Sequence, residues 1–138
     1  MTKSIKALQV GEEVGEMLEL ELPKLELPEI KLEVAKCENF IRPLSKVLER
    51  LDEAEALYGV DRVYGALAKI GAAYTSLALA YSKGVITKDE WKELSPYLFR
   101  ARQSILEKRD LKDVLEALDK TRDRIERVMF EKFTRCLK

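Results

Sequence analysis

The chain has 138 residues, with 25 Lys+Arg, 25 Asp+Glu and no His, for a formal net charge of +0. Two classes are excluded at once, a chain basic throughout and an acidic, apolar-poor disordered chain, because 46% of the residues are hydrophobic and a domain of this size buries roughly 68% of its unfolded surface around one core. The absence of His removes the commonest general acid/base and the commonest metal ligand.

The opening Met1-Thr2-Lys3-Ser4-Ile5-Lys6 is followed by Gln9, Gly11, Glu12, Glu13 and Glu16 rather than by an apolar run, so no secretory signal is expected and the expected location is cytoplasmic. Glu12, Glu13 and Glu16 read as a solvated charge run, with no ligand geometry to gather a cation. From Leu18 to Val34 apolar and charged residues alternate nearly strictly, punctuated by Pro23 and Pro28. Alternation of period two predicts half-buried strand, and each proline interrupts it. Residues 1 to 34 are therefore expected to form an extended, β-like arm with short β segments. Such an arm is marginal alone and must lie on something, its own bundle or a second subunit.

Residues 35 to 138 change to helical spacing. Cys37, Phe40, Ile41, Leu44, Val47, Leu48, Leu51, Ala54 and Tyr58 make the face of a first helix. Either Asn39 caps it, with Pro43 in the first turn, or it begins earlier with a kink at Pro43; Gly59 ends it. Asp61 is expected to cap a second helix, facing inward through Val63, Leu67, Ile70, Tyr74, Leu77 and Tyr81. Its remaining sides are small or apolar, which predicts the most buried helix; Val63 to Tyr81 has the length of a bilayer span, but Lys69 and the small residues favour a soluble bundle. Thr87 and Glu90 match a capping box. A short helix through Leu94 should follow, then a break at Ser95-Pro96 and a second segment bearing Tyr97, Leu98, Ala101 and Ile105. Asp110 is expected to cap a last helix reaching about Leu137. The fold expected is all-α: an up-down bundle of four main helices, one split at Ser95-Pro96, behind the extended arm.

No phosphate loop, nucleophile with a His partner, paired-Cys spacing or Glu-x-x-His pattern occurs, so no enzyme, cofactor, metal or small-molecule substrate is expected. The helical nucleases of the HEPN class need an Arg followed closely by a His, which this chain lacks. Cys37 and Cys136 fall near the start of the first helix and the end of the last, which are adjacent in an up-down bundle; they are either a disulfide or two buried thiols. Abundant Glu, Lys and Leu fit a thermophile, where an intracellular disulfide is acceptable. Arg122 lies within the apolar stripe of the last helix and must pair with a carboxylate, snorkel or face a partner.

The zero net charge hides polarity. Residues 10 to 33 hold eight Glu against two Lys, whereas residues 100 to 138 carry four more basic than acidic residues. Arg100, Arg102, Arg109, Lys120, Arg124, Arg127 and Arg135 are either a phosphate-contacting surface or an ion-paired solvent face, since Glu116-Lys120, Asp123-Arg127 and Glu131-Arg135 stand four apart. Phe130 and Leu137 widen the apolar sector of the last helix beyond what one bundle needs. With Leu20, Leu22, Leu25, Leu27 and Ile30 of the arm, they form the expected protein interface.

The expected function is that of a non-enzymatic interaction or assembly subunit, a homo-oligomer or part of a larger protein complex, with no membrane partner. The alternative is a small helical subunit of a nucleoprotein assembly touching nucleic-acid backbone through the C-terminal third. In size and helical class alone, without a motif, the chain is similar to the small helical subunits of CRISPR effector complexes and to helical capsid proteins of archaeal filamentous viruses.

Overall fold

The structure, a computed structural model, describes residues 27–138. They form four helices and, among the described residues, no strand: α1 (Leu27–Gly59), α2 (Val63–Ser82), α3 (Lys88–Leu106) and α4 (Leu111–Leu137). The chain divides into two compact units, Met1–Lys36 and Cys37–Lys138. Residues 1 to 26, with the expected extended arm and the interface residues Leu20, Leu22 and Leu25, lie outside the described residues.

Residues 27–34 depart from the extended expectation, since they are helical. The stretch that alternates also satisfies helical spacing, through Leu27, Ile30, Val34, Cys37 and Ile41. Pro28 falls in the first turn, where its missing N–H costs no intrahelical bond, and Glu29 lies favourably at the positive end of the helix. Pro43 consequently sits inside α1. Asn39 caps nothing; its side-chain oxygen accepts from Arg42 Nη2 at 2.8 Å.

The expected break at Ser95-Pro96 is also absent, and α3 runs through it without interruption. An internal proline costs a helix about 3 kcal/mol. Here Leu94 precedes it and Leu98, Ala101 and Ile105 follow on one buried face. Burying each large side chain is worth about 1.5–3 kcal/mol, so a continuous helix is the better arrangement. Pro96 and Lys92, whose carbonyl loses its donor, are both exposed to water. The capping box forms: Thr87 N–H donates to Glu90 Oε1 at 2.8 Å, and Glu90 N–H donates to Thr87 Oγ1 at 3.1 Å.

The ends of α1, α2 and α3 share one construction. After α1, Asp61 N–H donates to Tyr58 O at 3.0 Å and Arg62 N–H to Leu57 O at 2.8 Å; Asp61 takes the left-handed φ of 67°. After α2, Gly84 (φ 78°) and Val85 donate to Tyr81 O and Ala80 O. After α3, Lys108 (φ 54°) and Arg109 donate to Ile105 O and Ser104 O. Each is a Schellman ending, which satisfies carbonyls that the helix itself leaves open. So α1 ends at Gly59 as expected, but Asp61 rather than a glycine takes the left-handed turn, and Arg62 before α2 and Asp110 before α4 make no side-chain cap bond.

Within Cys37–Lys138, successive helices run antiparallel around one core. Glu53 of α1 meets Lys69 of α2 at 3.2 Å. Tyr81 near the end of α2 stacks on Trp91 near the start of α3, with ring centroids 5.7 Å apart. Glu90 of α3 holds Lys132 of α4 at 2.9 Å. The circle closes at α1 and α4 through the Tyr58 hydroxyl, which donates to Arg109 O at 2.6 Å, and through Cys37 and Cys136. Leu44, Leu51, Ile70, Leu77, Leu98, Ile105, Leu118 and Ile125 fill the interior, with Ile86 plugging one end from the α2–α3 connection. Gly65 lets α1 and α2 approach, because a Cβ there would stand 3.2 Å from Leu57 Cδ1.

The inward face of α2 differs from the expected one. Ala66, Ile70, Ala73, Leu77 and Ala80 are buried, whereas Tyr74 and Tyr81 are exposed. In a ring of four helices none is central, so a helix apolar on every side keeps part of that surface in solvent. α2 is long and apolar enough to cross a membrane by length and composition, and its buried residues belong to the bundle core.

Candidate interaction surfaces

The α1–α4 seam is fixed by charge and by sulfur. Arg122 projects from the apolar stripe of α4 with its side chain 20% exposed, and it holds Glu55 Oε1 at 2.7 Å and Asp52 Oδ1 at 3.1 Å on α1, with Asp119 on its own helix. Burial works against the charged guanidinium, and the three carboxylates more than offset it, so its pKa is raised. Arg122 is thus a strut between helices. Along the same seam Cys37 and Cys136 are bonded, with S–S 2.08 Å and Cα–Cα 5.7 Å. Cys37 is buried and Cys136 is exposed, so solvent reaches the bridge from one side.

On the α3–α4 seam, Glu90 caps α3 and pairs with Lys132. Burial pushes its carboxyl up, but the Thr87 N–H and the Lys132 ammonium outweigh that and hold it below the usual range. Thr121, the buried polar side chain of this seam, donates to Ala117 O at 2.8 Å and lies 3.2 Å from Tyr97 O.

The seven basic residues of the C-terminal third do not form one stripe. Arg100, Arg109 and Lys120 converge on an open cleft of about 300 Å³ between α3 and α4, beside Tyr97 and Ser104. Two of its cations are occupied, Arg109 by Glu107 and Asp113 and Lys120 by Glu116. Farther along α4, Arg124 pairs with Glu93, Arg127 with Asp123 and Arg135 with Glu131. Arg100 and Arg102 lie instead over the rings of Tyr97 and Phe99, at 4.9 and 5.9 Å, with no carboxylate partner among the described residues. Also among the described residues, no group of His, Cys, Asp or Glu stands where it could hold a metal ion.

Of the expected apolar contacts, Phe130 (70% exposed) and Leu137 stand in solvent on one face of α4, seven residues and thus about two turns apart. Ile30 is exposed on the opening of α1, a face of the other compact unit. Helical spacing, which turned Tyr74 and Tyr81 inward, did not point to a further surface on the α2–α3 seam. Tyr74 and Phe99 (65% exposed) are in solvent there, and Tyr64 (88% exposed) and Leu79 are exposed elsewhere on α2. Trp91 holds the tyrosines in place, edge-on to Tyr74 at 5.3 Å and stacked with Tyr81. The signal was in the sequence, because α2 carries one charge, Lys69, and that side chain turns to Glu53.

Comparison with family models, with curated proteins and with solved structures finds no match.

Proposed function

We propose that the chain is a non-catalytic assembly subunit, cytoplasmic in location, that self-associates through its N-terminal segment and the C-terminal end of α4. The observation that carries this reading is the exposure of Phe130 and Leu137 on one face of α4 in a bundle whose core is already filled. A large aromatic left in solvent beside a second apolar residue forgoes burial that a partner surface would restore. The Leu/Glu composition of residues 18 to 27 supplies apolar side chains and negative charge to such a contact.

The nucleoprotein alternative has less support. Five of its seven proposed phosphate contacts already hold carboxylates, and breaking those pairs offsets part of what phosphate would contribute.

Light scattering on the full chain, on a chain lacking residues 1 to 26 and on Phe130→Glu tests the reading. An oligomer that falls to 15.9 kDa monomer in Phe130→Glu, and dissociates on the deletion, is expected. Association unchanged in either variant overturns it. A mobility shift on nucleic acid at low salt that weakens steeply as salt rises would favour the alternative.

A further inference from the structure

Three features of the α2–α3 seam point outward together. The first is a groove with an apolar floor, made of two adjoining open depressions of about 510 and 340 Å³ that share Tyr74 and Phe99. Pro96 lines one and Gly71, Ile70 and Leu98 the other, and no acidic residue lines either.

The second is Gly71. It sits in the middle of α2, where glycine is the weakest helix former after proline. Gly65 has an intramolecular reason to be glycine, the close Leu57 side chain, but a Cβ at Gly71 would meet nothing within 4 Å. With Ala68 and Thr75 exposed on the same face, Gly71 leaves a low backbone surface open to close approach from outside.

The third is charge. Arg100 lines one depression and Arg102 the other, and these are the cations of the C-terminal third's cluster that hold no carboxylate among the described residues. An apolar floor with two guanidinium groups at its rim that rest on aromatic rings and hold no carboxylate among the described residues suits an occupant that alternates apolar and acidic side chains. The chain contains such a sequence: Leu18, Leu20, Leu22, Leu25 and Leu27 interleave with Glu19, Glu21 and Glu26 around Pro23 and Lys24, for a net charge of −2 (three Glu against one Lys).

We infer that the α2–α3 groove is the acceptor for the Leu18–Leu27 segment of a second copy. The leucines seat against Tyr74, Phe99 and the open backbone at Gly71, and the glutamates pair with Arg100 and Arg102. This inference rests on the self-association reading and adds to it the surface that receives the N-terminal segment.

The test is sedimentation equilibrium on full-length variants. Gly71→Glu places a carboxylate in the groove from a position where a Cβ meets nothing within 4 Å, and Arg100→Glu with Arg102→Glu reverses the rim. Each is expected to weaken association by about tenfold or more, the loss typical of a central contact residue. Adding Glu19→Lys, Glu21→Lys and Glu26→Lys to the rim reversal restores it. If both groove variants are helical by circular dichroism and associate as the wild type does, the inference is overturned; the self-association reading still stands if deletion of residues 1 to 26 dissociates the oligomer. If that deletion leaves the oligomer intact, the N-terminal segment is not the clasp and both fall. Binding of the wild type to phosphatidylserine vesicles, lost in Gly71→Glu while association is unchanged, assigns the groove to a membrane surface and overturns the inference too.

Discussion

Reduction of the Cys37–Cys136 bridge, or its replacement by Cys37→Ser with Cys136→Ser, is a quantitative perturbation of this fold. The two residues are 99 apart in sequence, so the bond closes nearly the whole bundle into one loop. Restricting an unfolded chain over a loop of that length is worth about 4.7 kcal/mol at 25 °C by the chain-entropy argument. The native state loses little in return, because Arg122 still ties α4 to Asp52 and Glu55, and Tyr58 still ties α1 to Arg109 O. Spread over the unfolding entropy of a domain this size, that loss corresponds to a fall of about 15 °C in Tm. Cys136 is exposed, so reductant should reach the bridge without global unfolding. Guanidinium unfolding of the oxidised, reduced and double-Ser proteins measures the difference, and the reduced and double-Ser forms should agree. A loss below about 1 kcal/mol would refute the reasoning, since the entropy of a loop this long could then not be the dominant effect.

Asp61→Gly and Lys108→Gly should each stabilise the bundle by about 1 kcal/mol in urea unfolding, because both residues hold a left-handed φ that glycine adopts freely; destabilisation in either would contradict the assigned helix endings. Arg122→Met should cost about 1–2 kcal/mol, since it leaves three carboxylates facing one another, and the cost should shrink in 1 M salt, where screening shortens to about 3 Å. Glu90→Gln should cost about 1–3 kcal/mol at pH 7 by leaving Lys132 without its carboxylate. The folded carboxyl lies below its unfolded value of about 4.3, so its contribution is present above that pH and is lost as pH falls through the folded value; the variant's deficit should therefore narrow between about pH 5 and 3. Gly71→Ala should raise stability by about 1 kcal/mol, whereas Gly65→Ala should gain less or lose, because its methyl presses on Leu57; equal gains would mean that α1 and α2 pack less closely than described.

The helical periodicity of residues 35 to 138 carried the number, order and approximate bounds of the helices, and Thr87 with Glu90 announced a start that the structure forms as read. What periodicity misjudged were positions where two signals compete. The 27–34 stretch satisfies strand and helix spacing together, and the continuation of α1 from Cys37 onward decides it. Pro96 is a breaker by local rule, overruled by the buried run from Leu94 to Ile105. Asp61 and Lys108 serve as left-handed turn residues that sequence rules reserve for glycine. For α2 the alanines looked like filler around a bulky stripe. In the fold the alanines face the core, so the tyrosines turn out to solvent, and the surface they form with Phe99 went unread. The Arg122 position in the apolar stripe was legible, but its partners on α1 depend on the neighbouring helix and could not be read from α4 alone.

We propose that this bundle is a unit of an assembly held by its N-terminal segment and the far end of α4. The decisive measurement is light scattering on the full-length protein over roughly a hundredfold range of concentration, beside the chain lacking residues 1 to 26. The full chain should have a mass that is a multiple of 15.9 kDa, and the truncated chain should be a monomer. A full-length chain that stays monomeric at the highest concentration would contradict it.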